Sequence, residues 1–172
     1  MVDIGIDFLL NLVAEIIGIV ITVVIIDRIL RKREEKKTKS FKENMRSRVA
    51  DHCRVLSTLI QILSSQKEKD EEGILRKDII DRKKQLLELS QIGGNILEVN
   101  LKDQLIELDK KLDILIQEHV GGPLIPIEEW NRSIDGTLSQ IAIVSRLLGD
   151  IGTSIANEVW LEVFRLKSAK EQ

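Results

Sequence analysis

Cysteine occurs once in 172 residues, histidine and proline twice each, and tyrosine not at all. A single thiol excludes a disulfide framework and any multi-cysteine zinc site. Two histidines leave little for a histidine-rich metal centre or a His-centred triad. Aromatic residues make up 3% of the chain, too few for a nucleic-acid reader that stacks bases on ring faces. An excess of one charge is also missing: 26 Lys and Arg face 28 Asp and Glu, so the molecule as a whole is no polyanion binder. The phosphate-cradling, dinucleotide, nucleophile-elbow, zincin and EF-hand signatures are all absent. The pairs Gly93-Gly94 and Gly121-Gly122 read as helix stops, and the acid pairs Glu71-Glu72 and Glu128-Glu129 read as solvated charge. No cofactor and no metal ligand set is expected, and enzymatic activity is not the favoured reading.

What the chain does contain is unevenly spread. From Phe8 to Ile26 it reads FLLNLVAEIIGIVITVVII, interrupted by charge or amide only at Asn11 and Glu15. At 1.5 Å per residue this run covers about 28 Å, close to a bilayer core. The acidic lead MVDIGID and the lack of a small-residue cleavage site argue against a cleaved signal peptide. Ten Lys or Arg against three Glu follow between Arg28 and Arg48. Arg28, Arg31, Lys32, Arg33, Lys36 and Lys37 form a collar suited to anionic headgroups. By the positive-inside rule the collar faces the cytoplasm and the N-terminus lies outside. Asp7, Asn11, Glu15, Gly18 and Thr22 share one side of this helix at about 100° per residue. Such a stripe implies a homo-oligomeric contact or another membrane partner, with a lumen lined by Asn11 and Glu15 if enough helices assemble; the plainer reading is a simple anchor in which Glu15 is protonated or snorkels.

Beyond the collar, apolar residues keep helical spacing. Ser40 and Glu43 have the form of a capping box, which predicts a helix from Phe41 with Met45, Val49, Cys53, Leu56, Leu59, Ile60 and Leu63 inward. A helix from Ile74 stops at Gly93-Gly94, burying Leu75, Ile79, Leu86 and Leu89. Asn100 is placed to cap another, with Leu101, Leu105, Leu108, Leu112 and Leu115 inward. After Pro126 a helix opens on Glu128-Glu129 and carries Trp130, Ile134, Leu138, Ile141, Leu148, Ile151 and Ile155, its continuity in question at Gly136, Gly149 and Gly152. The C-terminal stretch adds Val159, Trp160, Val163, Phe164 and Leu166. No period-2 alternation or hairpin signal occurs. The expectation is an all-α chain: a transmembrane helix over 1–30, a basic juxtamembrane collar over 31–40 and an antiparallel cytoplasmic bundle of four to five helices over 41–172.

One constellation bears on catalysis. Arg46 and His52, five residues between them, have the R-x(4-6)-H spacing of HEPN-type ribonucleases, in which His would act as general acid or base and Arg would stabilise charge on phosphate. The plainer reading of His52 is a partly buried histidine on the face of Val49, Cys53, Leu56 and Leu59. His119 continues the leucine stripe past Leu115 and reads as a helix-terminal histidine.

The opening DFLLNLVAEIIGIVITVVIIDRILRKREEKK, together with this Arg-to-His spacing, resembles the small bacterial single-span proteins with helical bodies, and in plan the HEPN-like accessory membrane proteins of type VI CRISPR systems. The resemblance implies an oligomeric pore in the bacterial inner membrane that depolarises the infected cell in antiviral defence. Two alternatives stand beside it: a non-conducting membrane tether or adaptor that binds a cytoplasmic protein, and an HEPN-like ribonuclease. Lipids and a second copy of the chain are the expected partners; nucleic acid is not.

Overall fold

The computed structural model describes residues 3–65, 73–93, 97–121 and 126–168, with the side chains of residues 3–12, 14, 119–121, 166 and 167 outside that description. Five helices and no strand occur among the described residues: α1 Asp3–Ser65, α2 Ile74–Ile92, α3 Val99–Gly121, α4 Ile127–Leu147 and α5 Asp150–Ser168. The chain divides into two compact units, Met1–Phe41 and Lys42–Gln172.

The first helix corrects two expectations. A transmembrane helix over 1–30 is not found: among the described residues no helix is long and apolar enough to cross a membrane. The run with described side chains that is free of charge extends from Ile16 to Ile26, about 16 Å at helical rise against a hydrocarbon core of roughly 30 Å. Nor does a new helix open at Phe41, because α1 continues through the collar to Ser65. Neither Gly nor Pro occurs between Gly18 and Gly73, and the collar consists mainly of Arg, Lys and Glu, which lose little in a helix. Ser40 lies inside this helix, so the capping-box pattern is not used as a cap.

The second unit is an all-α bundle. Met45, Val49, Cys53, Leu56, Ile60 and Leu63 from the C-terminal half of α1 join one hydrophobic core with Ile79, Leu86 and Leu89 of α2, the five leucines of α3, and Trp130, Ile134, Leu138 and Ile141 of α4. Each large side chain taken fully from water contributes about 1.5–3 kcal/mol. The helices pack in sequence, α2 on α3, α3 on α4 and α4 on α5. Polar ties fix their register. Lys83 of α2 reaches Asp109 at 3.2 Å and Asp113 at 2.8 Å on α3. Gln140 of α4 donates to the Gln104 side-chain oxygen at 2.8 Å and to its backbone carbonyl at 3.1 Å.

Local chemistry sets most boundaries. Gly73 precedes α2 with φ 62, a left-handed conformation that glycine adopts without cost. Pro126 precedes α4, and Glu128 and Glu129 occupy its first turn, where the helix dipole favours acids. Asn100 is not a cap: α3 begins at Val99, and the Glu98 carbonyl accepts from Lys102 N at 3.1 Å. The long C-terminal periodicity is two helices, broken at Leu148-Gly149, where Gly149 has φ 68. At Gly152, in the first turn of α5, a Cβ would fall on the Ser145 carbonyl oxygen of α4. The two helices meet backbone to backbone there, and only glycine fits. The break also resets the helical phase, so Ile151 is exposed and not in the core.

Candidate functional site

Three regions bear on function. In the first unit, every large apolar side chain described from Val13 to Leu30 is 48–64% exposed. Isoleucine and valine occupy all sides of the helix between Ile16 and Ile26, broken only by Gly18 and Thr22. Of the stripe expected from the sequence, the side chains of Asp7 and Asn11 lie outside the described residues, and Glu15 is exposed. Thr22 donates its hydroxyl to the Gly18 carbonyl at 2.8 Å, so that group is satisfied within its own helix. A Cβ on Gly18 would meet nothing within 4 Å. Arg28, Arg31, Lys32, Arg33, Lys36 and Lys37 are all exposed. Arg31 pairs with Asp27 at 2.9 Å, an exposed i,i+4 contact, which contributes at most about 1 kcal/mol.

The second region contains Arg46 and His52. Six residues on a helix place them about 120° apart around the axis and about 9 Å apart along it. The structure brings Arg46 to other partners. It donates to the Leu147 carbonyl at the end of α4 at 2.9 Å, and lies 3.2 Å from Glu98. Lys42 reaches the same Glu98 oxygen at 3.0 Å. Hydrogen bonding from Lys42 and the charges of Lys42 and Arg46 hold the Glu98 carboxyl below its ordinary value. Arg46 thereby caps an orphan carbonyl and joins α1, the start of α3 and α4. His52 is buried at 8% exposure, and its Nδ1 has no hydrogen-bond partner. Burial, then the charges of Arg82 and Arg48, lower its pKa, with Asp51 opposing them. Neighbouring Cys53 is fully buried, and burial pushes its thiol up to about 12. A thiol in that environment is not a nucleophile at neutral pH. The His119 side chain lies outside the described residues.

The third region was not identified from the sequence. The last turn of α4 and the outer side of α5 frame a groove of about 540 Å³, lined by Arg146, Asn157, Trp160, Leu161 and Phe164. Arg146 lies over the Trp160 ring with its guanidinium carbon 5.5 Å from the ring centroid. Trp160 and Phe164 have centroids 6.5 Å apart. Leu161 and Phe164 are 71% and 64% exposed. The sequence pattern places Trp160 and Phe164 inward; Trp160 is partly buried against the core, whereas Phe164 is exposed. A signal was present: VWLEVFRL carries more apolar positions than one helix face can bury.

Among the described residues no group of three or more His, Cys, Asp or Glu is placed to hold a metal ion. Comparison with protein-family models, with curated proteins and with solved structures finds no match to this chain.

Proposed function

We propose that the protein is a lipid-associated adaptor: the first unit attaches to an anionic bilayer, and the helical bundle engages a protein partner. What supports the reading is the exposed apolar segment around Ile16–Leu30, followed at once by exposed basic residues. A helix that is apolar on all sides is stable only when buried in something. Twelve large apolar side chains from Val13 to Leu30 remain about half exposed, which leaves on the order of 10 kcal/mol of unrealised burial. The collar selects the occupant. Lys and Arg near an anionic surface contribute about 1 kcal/mol each, whereas a protein core offers them nothing.

The test is flotation of the full chain with phosphatidylcholine vesicles, with and without phosphatidylglycerol. Flotation with the anionic vesicles, lost in Val20→Asp with Val24→Asp and weakened in Arg33→Glu with Lys37→Glu, is the expected outcome. Flotation indifferent to both pairs of changes contradicts the reading. The arrangement of Glu15, Gly18 and Thr22 on one side favours a second reading, an oligomer that perturbs the bilayer as the sequence resemblance implies. Release of entrapped dye in the same vesicles, abolished by Gly18→Leu, separates it from the adaptor.

A further inference from the structure

We infer that the groove between α4 and α5 is the docking site for an acidic amphipathic helix of a partner protein. The inference rests on the adaptor half of the proposed function and is independent of how the first unit meets lipid.

Helix α5 carries two apolar stripes. Ile155, Val159 and Val163 are buried in the bundle. Asn157, Trp160, Leu161 and Phe164 line the groove at i, i+3, i+4 and i+7, the spacing with which one helix meets another. In this second stripe Trp160 is partly buried against the bundle core, and Leu161 and Phe164 are left 71% and 64% exposed side by side. Contiguous exposed apolar surface of this kind marks an interaction site.

Charge identifies the occupant. Arg146 is the only charged residue among the described residues that line the groove. Glu158, which accepts from Ser154 at 3.0 Å, and Glu162, 3.6 Å from Arg165, do not line the groove. An opposing helix with leucines on one face and glutamates along its edge would fill the recess and pair with Arg146. Arg146 already stacks on Trp160, so its guanidinium is held in place before a carboxylate arrives.

The experiment uses the full chain in a mild non-ionic detergent and two labelled synthetic peptides followed by fluorescence anisotropy. Both peptides carry leucine at i, i+3, i+4 and i+7; one has Glu on the flanking positions and the other Lys. The Glu peptide is expected to bind about tenfold tighter or more, the weight of one charge-assisted contact. Leu161→Glu abolishes its binding, and Arg146→Glu reverses the preference between peptides. Both side chains project from the surface, so thermal melts of the variants match the wild type. Equal binding of the two peptides, or binding unchanged by either variant, overturns the inference. A Leu161→Glu variant that binds the peptide normally but changes oligomeric mass in mass photometry assigns the groove to a second copy instead. One that binds the peptide normally but floats less with vesicles assigns it to lipid. Arg146→Glu leaves vesicle flotation unchanged, so failure of the docking inference and failure of the lipid reading are seen separately.

Discussion

Adding one methyl group at two glycines should shift stability in opposite directions, and the structure states why. At Gly152 a new Cβ falls on the Ser145 carbonyl oxygen, lies 2.7 Å from the Ser145 carbonyl carbon and 3.0 Å from Leu148 Cβ. Two of these atoms are backbone, at the end of α4, so no side-chain rotation relieves the clash; α5 must move off α4. Overpacking of this sort costs about 1–3 kcal/mol where side chains can adjust, and a backbone obstacle places Gly152→Ala at the upper end or above. Gly136 lies inside α4, and a Cβ there meets only Lys111 Nζ at 3.8 Å. Gly136→Ala gains helix propensity with no steric penalty, about 0.5–1 kcal/mol. Urea denaturation followed by circular dichroism should move the midpoint down for Gly152→Ala and up for Gly136→Ala, with unchanged slope. A Gly152→Ala midpoint at or above that of the wild type would refute the packing of α4 on α5 described above.

Arg46→Ala removes the donor to the Leu147 carbonyl and one of the two cations at Glu98. A hydrogen bond from a charged group contributes about 1.5–3 kcal/mol, and the same urea assay should show a loss in that range, with Arg46→Lys restoring only part of it. The fold holds His52 below its ordinary value of 6.5 by burial and by Arg82 and Arg48. The unfolded chain therefore takes up the proton first, so stability is complete above about pH 6.5 and is lost as pH falls through the lower folded value. His52→Gln should flatten that decline below pH 6.5; a decline of equal size in the variant assigns it to other groups. The Cys53 thiol, buried and pushed up to about 12, should resist a thiol reagent in native buffer and react once urea unfolds the bundle.

The legible parts of the sequence were those in which local chemistry decides. Gly73, Gly93 and Pro126 mark helix ends because glycine and proline act through their own backbones, and the leucine rhythm of α3 reads directly as its buried face. The Ser40-to-Glu43 pattern misled because a cap needs a chain that leaves the helix there, and nothing between Gly18 and Gly73 makes it leave. The fate of Arg46 was illegible because its partners are Glu98, 52 positions away, and the Leu147 carbonyl, 101 away. Its spacing to His52 is legible along the chain, but its contacts with Glu98 and the Leu147 carbonyl are not. The α4–α5 groove escaped notice because amphipathic counting assigns every apolar residue of a helix to one core. Leu161 and Phe164 show that a helix can bury one apolar stripe and present further apolar residues beside it.

The central claim is that the apolar segment of α1 is covered by lipid. The unreactive Cys53 thiol allows a nitroxide to be placed selectively on Val20→Cys, and its collision rates with oxygen and with a nickel chelate report whether that position is in hydrocarbon or water. On anionic vesicles the account predicts that oxygen contact rises and nickel contact falls relative to the vesicle-free protein. Rates unchanged on adding vesicles, with the label still open to nickel, would contradict it.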